Sequence, residues 1–226
     1  MARKNPAQPH NVATLPAAGR RPLPPDGLVV PALGDADVRF VAAPDLAAWI
    51  RHTFIDGDGA LGNAEHAHLQ HASIGVLWTN ASAAKQGRWI IGTAEMPRPP
   101  GNLWPQQRSA CFVRELLGST PHFVLTFHAP TAVEMSDLEW CALVEHELYH
   151  CAQARDEFGA PKFKVDGSPA FTIRGHDVEE FVGVVARYGA SSSPSVLAMV
   201  EAAKRLPMVG DAAIGRACGT CGRKVA

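Results

Sequence analysis

The chain has 226 residues, 46% of them hydrophobic, and a formal net charge of -1. That length supports one sizeable core, and no apolar stretch reaches the roughly 18 residues of a membrane-spanning helix. Five cysteines form no paired framework; Cys111, Cys141 and Cys151 lie in apolar segments and read as reduced, buried thiols of a reducing compartment. The small net charge hides an asymmetry: residues 1–25 carry +4, residues 196–226 carry +3 and the body between carries -8.

Residues 1–34 are rich in Pro, Ala and Gly and lack periodicity, so a disordered basic tail is expected there. The basic start has no apolar signal-peptide core, which points to the cytoplasm, or the host cytoplasm if the gene is phage-encoded. Val38 to Val41 reads as a strand. Asp45 then caps a helix to about Thr53 with Leu46, Ile50 and Phe54 on one face. Ile74–Trp78 and Trp89–Ala94 read as the two strands of a hairpin, and Pro97 to Pro105 as a Pro-rich loop. Phe123–Phe127 is the clearest strand, apolar and β-branched. A helix is expected from Asp137 to Phe158, opened by a Ser136/Glu139 capping box and stopped by Gly159 and Pro161. A short strand at Phe171–Ile173 precedes a second helix from Asp177 to Gly189. Residues 191–226 read as a linker, a short helix over 196–207 and a tail with Cys218 and Cys221. Strands first and helices later suggest an α+β domain, with a small, mainly antiparallel sheet packed on the helices.

The first of these long helices carries His146-Glu147-Leu148-Tyr149-His150. Histidines at i and i+4 share a helix face and can point at one metal, while Glu147 stands about 100° away, placed to act on water rather than as a ligand. Cys141, Val144, Leu148 and Cys151 form an apolar stripe nearly opposite the histidines, so one face packs on the core and the other lines a cleft. A catalytic zinc takes three protein ligands. His176 at the start of the next helix is the choice for the third, with Glu180 the runner-up and Asp177 a cap or an acceptor for an imidazole N–H. The metzincin continuation is missing: Gln153 and Asp156 stand where its Gly and third His would be. Glu65 to His71 is His-rich but reads as a polar turn rather than a metal site. Cys218 and Cys221 are half of a zinc ribbon and read as a tail. No oxyanion stabiliser stands out, and Tyr149 projects away from the ligand direction.

The stretch Leu143–Cys151 followed by Gly175–Phe181, with Ile74–Trp78 and Gly92–Glu95, resembles the phage metallopeptidase family, zincins distantly similar to SprT-like proteases. The resemblance covers roughly residues 38–190. It implies a zincin-like domain over residues 35–190, zinc on His146, His150 and His176, and a catalytic Glu147. SprT-like proteins have a Phe four residues after the third ligand; here Phe181 is five after His176. The function expected is zinc-dependent hydrolysis of peptide bonds in a protein or peptide substrate. The alternatives are a zinc hydrolase of a non-peptide amide, and a nucleic-acid-associated adaptor with a structural zinc that uses the basic tails.

Overall fold

Two strands rich in β-branched and aromatic residues form the middle of the fold in the computed structural model, which describes residues 20–85, 88–98, 101–178, 185 and 194–210. They are β2 (Ile74–Thr79) and β6 (Phe123–His128), paired in parallel from Ile74↔Phe123 to Thr79↔His128. β1 (Phe40–Ala42) runs antiparallel along the other side of β2, and β5 (Gly92–Glu95) antiparallel along the other side of β6. The order β1-β2-β6-β5 makes the sheet mixed. The expected mainly antiparallel arrangement holds for the outer pairings and fails at the centre. The expected hairpin between Ile74–Trp78 and Trp89–Ala94 does not form, because β1 and β6 occupy both edges of β2. β3 (Ala83–Lys85) and β4 (Arg88–Ile90) pair with each other instead, and β5 joins β6.

A parallel pair needs a long crossover connection. Part of it is α2 (Leu103–Leu117), whose first turn takes up the end of the expected Pro97 to Pro105 loop. Pro105 sits in its first turn, where a missing N–H costs little, and Gly118 ends it at φ +73°. Val113, Leu116 and Leu117 of α2 cover Leu77 and Val124 on one face of the sheet. A Cβ at Gly75 would collide with Leu117. The alternate side chains Val76, Trp78, Phe123, Leu125 and Phe127 enter the main core on the opposite face. There α1 (Pro44–Ile50), prolonged by a π-helical turn over Arg51–Ile55, buries Leu46, Ile50 and Phe54. Beyond β6, the short α3 (Ala129–Ala132) leads into α4 (Asp137–His150). Trp140 of α4 stacks on Trp78 with ring centroids 5.4 Å apart and tilts against Phe127 at 4.9 Å.

Part of the segment expected as a tail, residues 1–34, packs on the body. Arg21 donates through Nη1 to the carbonyl of Ala132 (3.0 Å) and through Nη2 to that of Met135 (2.6 Å). Its Nε lies 2.8 Å from the Asp137 carboxylate, and the guanidinium sits over the Trp140 ring. Leu28 is part of the main core at 3% exposure. A Pro- and Ala-rich composition without periodicity conceals such single anchors. Residues 1–19 lie outside the described residues. Towards the other end, α5 (Pro194–Ala203) buries Val196, and Gly210 abuts Leu138 of α4. Among the described residues no helix is long and apolar enough to cross a membrane.

A chain begun at residue 35 is therefore expected to melt at a lower temperature than one begun at residue 20. Leu28→Ala in the full chain should cost about 2–5 kcal/mol, the range for a buried leucine. Equal melting temperatures for the two truncations would show that the segment does not contribute to folding.

Candidate metal centre

The helix that carries the motif is fixed at both ends. At its start Glu139 N–H donates to Ser136 Oγ (3.3 Å) and Ser136 N–H donates to Glu139 Oε2 (3.0 Å), the capping box expected. Hydrogen bonds from Ser136 hold the Glu139 carboxyl below the usual range. The apolar stripe Cys141, Val144, Leu148 and Cys151 is buried. Burial pushes the Cys141 thiol up to about 11 and that of Cys151 well above its ordinary value, so both are neutral thiols. With that stripe held on the core, His146 and His150 stand one turn apart with ring centroids 5.0 Å from each other.

The helix does not continue to Phe158; it stops at His150. Cys151–Gln153 is a strand, β7, paired antiparallel with β8 (Phe171–Ile173) from Cys151↔Ile173 to Gln153↔Phe171. One residue beyond the ladder, Arg174 N–H donates to the His150 carbonyl (3.0 Å), and His150 Nδ1 lies 2.7 Å from the Arg174 carbonyl. With Nδ1 donating to that carbonyl, Nε2 is the nitrogen left to face a ligand. Between the strands, Lys162 N–H donates to the Ala154 carbonyl and Ala170 N–H to that of Lys162, which folds residues 154–170 into a β arm. Its two turns place Gly159 and Gly167 at φ +82° and +80°, where glycine is favoured. Gly159, expected to stop a helix, serves a turn of this arm.

His176 follows Arg174 by two residues. Its ring centroid is 5.0 Å from that of His146 and 5.2 Å from that of His150. Nε2 of His146 and Nε2 of His176 are 3.2 Å apart, and all three candidate ligand atoms lie within 4.8 Å of one another. Two nitrogens at about 2.0–2.1 Å from one tetrahedral zinc are about 3.3 Å apart, so the set could hold a single ion. Burial, reinforced by the neighbouring imidazoles, brings His146 down to about 4, and burial also lowers His150. In both, burial favours the neutral imidazole, the form that binds metal. The Asp177 carboxylate pairs with Arg174, whose Nη2 lies 3.1 Å from Oδ1 and 2.9 Å from Oδ2. Glu180, the alternative third ligand, and the expected helix beyond Val178 fall largely outside the described residues, as do Cys218 and Cys221.

Glu147 is fully buried on the side of α4 that faces β5. A Cβ on Gly92 would lie 2.9 Å from Glu147 Oε1 and 3.2 Å from Leu143 Cδ1, so the absence of a side chain at this strand position gives the carboxylate its room. The only sign of this in the sequence is an isolated glycine inside a strand pattern. The His-rich segment forms a 3-10 helix, Ala64–His71, and supports the motif helix rather than joining the imidazole cluster. His66 packs edge-on against Tyr149 at 4.7 Å, and His68 Nε2 lies 2.7 Å from the Cys151 carbonyl. The Tyr149 hydroxyl turns away from the cluster and accepts a hydrogen bond from Asn63 Nδ2 at 2.9 Å. Burial, then a hydrogen bond to Glu65, raises it to about 12. In front of the imidazoles lies a cavity of about 330 Å³, walled also by Arg174, Asp177 and Met199. Met199 comes from α5, a helix expected to lie outside the site.

A family model described as "Putative phage metallopeptidase" matches residues 47–204. The chain belongs to that family. No curated protein and no solved structure matches it. The match supports a metal-dependent peptidase and includes both halves of the imidazole cluster. It also extends past residue 190 to take in α5, in keeping with Met199 at the cavity wall.

Metal content is the direct readout of this geometry. His176→Ala is expected to remove most of the bound metal from the purified protein, measured by elemental analysis, whereas Glu180→Ala should leave it. The reverse result would assign the third ligand to Glu180.

Proposed function

We propose that the chain is a zincin-type, zinc-dependent peptidase in which His146, His150 and His176 bind the metal and Glu147 is the general base. The observation that carries this reading is the convergence of three imidazoles, with ligand atoms within 4.8 Å of one another, on a helix whose Glu147, next in the chain to His146, is fully buried. Three imidazole ligands suit a catalytic zinc, which takes three protein ligands and a water. A zinc ion held there supplies a Lewis acid that polarises a substrate carbonyl and acidifies water. The Glu147 carboxylate takes the proton of the attacking water and delivers it to the leaving amine. His150 stays in one tautomer because its Nδ1–H is committed to the Arg174 carbonyl. The buried wall of Leu143, Val144 and Leu148 keeps bulk water from the core side of the helix. A site that served only structure would not need a buried carboxylate, which is costly to desolvate. Of the basic charge behind the adaptor alternative, Arg21 is committed to Asp137 and two backbone carbonyls.

Glu147→Gln preserves size and leaves the imidazoles untouched. It should retain zinc and the melting temperature while hydrolysis of labelled casein or a peptide library falls at least about a hundredfold. Full activity in that variant would sink the mechanism. Cleavage of small amides but of no peptide would favour the non-peptide hydrolase.

Gly92→Ala tests the same carboxylate from the other side. The new methyl should displace Glu147 and lower turnover by about ten- to a hundredfold, the scale of a small misplacement, with zinc content unchanged. Unaltered turnover would mean that the position of Glu147 does not matter to the reaction.

A further inference from the structure

Beside the metal cavity lies a second one of about 620 Å³, bounded by the 3-10 helix and the base of the β arm. The two cavities have Tyr149 and Arg174 in common, so these residues stand at their junction. Among the described residues Arg174 is the one lysine or arginine that lines the metal cavity. It is held from three sides. Its backbone is tied to His150 by two hydrogen bonds, its guanidinium lies over the Tyr149 ring at 5.7 Å, and Nη2 is anchored on Asp177. The side chain is nevertheless 43% exposed. Tyr149 directs its hydroxyl to Asn63 and Glu65, so it offers Arg174 a ring face rather than a competing donor.

A guanidinium is always charged and donates through a rigid planar fork. Anchoring one nitrogen on Asp177 and seating the plane on Tyr149 leaves Nε and Nη1, among the described residues, as oriented donors at the point where a chain would pass from one cavity to the other. The acceptor that every peptide presents at regular intervals is its main-chain carbonyl. The wall of the larger cavity combines Leu148, Ala152, Ala154 and Pro161 with polar edges, an environment suited to a long side chain.

We propose that Arg174 is a substrate-binding residue that grips a main-chain carbonyl of the peptide at this junction. The scissile amide then lies over the imidazole cluster, and the neighbouring side chain enters the larger cavity. The assignment rests on the peptidase reading above.

Two ligands on the zinc-loaded full chain, followed by calorimetry, test it. Acetohydroxamic acid addresses the metal alone; a dipeptidyl hydroxamate addresses the metal and offers peptide carbonyls as well. Arg174→Ala should weaken the dipeptidyl hydroxamate by about ten- to a hundredfold, the scale of one charge-assisted hydrogen bond, while acetohydroxamic acid binds as in the parent chain. Arg174→Lys should restore only part of the loss, since it keeps the charge but not the fork. Unchanged binding of the dipeptidyl hydroxamate overturns the role of Arg174 and leaves the peptidase reading intact. Equal weakening of both compounds also overturns it, because Arg174 would then act by shaping the metal site. Where Arg174→Ala loses zinc, Arg174→Gln with the same two compounds decides by the same criteria. If neither compound binds the zinc-loaded parent chain, the peptidase reading falls and this assignment with it.

Discussion

The pairing of His150 with Arg174 is the contact on which the site depends. One backbone hydrogen bond and one from the imidazole join the last residue of α4 to the first residue after β8. Together they end the helix, align the β7–β8 ladder, set the tautomer of one imidazole and deliver His176 two residues later. A metal-binding pair on a helix needs no tertiary partner to be formed, since i and i+4 share a face. The third imidazole comes from 26 positions further along the chain than His150, and only this pairing brings it close. The same contact fixes the backbone of Arg174, so the cluster and the cation beside it share one mechanical reference.

Burying a carboxylate and most of two imidazoles against a core is unfavourable unless the surroundings offset it. The offset comes from the layer behind them. Trp78, Phe127 and Trp140 interlock, and Val144 and Leu148 lie fully within the same core. Each such buried side chain contributes roughly 1.5–3 kcal/mol. The parallel β2–β6 pair supplies the flat surface for this layer, and Gly92 on β5 supplies the space for Glu147. The motif helix is therefore clamped on its apolar side, so its polar side can be held to a fixed geometry.

Segments far apart in the chain converge on α4. Arg21 binds carbonyls just before its start as well as the Asp137 side chain, Gly210 abuts Leu138, and Met199 reaches the cavity at its far end. The two ends of the sequence, both basic and poor in pattern, thus contribute residues to the stability of the helix and to the wall of the site. The segment with three histidines acts in the same way: His66 and His68 brace Tyr149 and Cys151 next to the motif.

The sequence by itself determined the features that depend on short-range spacing. The capping box at Ser136 and Glu139, the buried stripe through Cys141, Val144, Leu148 and Cys151, and the shared face of His146 and His150 follow from helical geometry. The strands at Ile74 and Phe123 follow from β-branched, apolar composition. Tertiary structure decided what local preference cannot express. Residues 151–158 are acceptable in a helix, yet the β8 partner takes Cys151–Gln153 into a ladder, and a pairing with residues 171–173 leaves no periodic signal. Whether β2 pairs with β5 or β6 depends on which edges are already filled, so the parallel centre was not legible either. The room that Gly92 leaves for Glu147, the placement of Arg174 between two cavities and the approach of Met199 are consequences of packing between distant segments. Each is an isolated residue type in the sequence and acquires a role only through the side chain it meets.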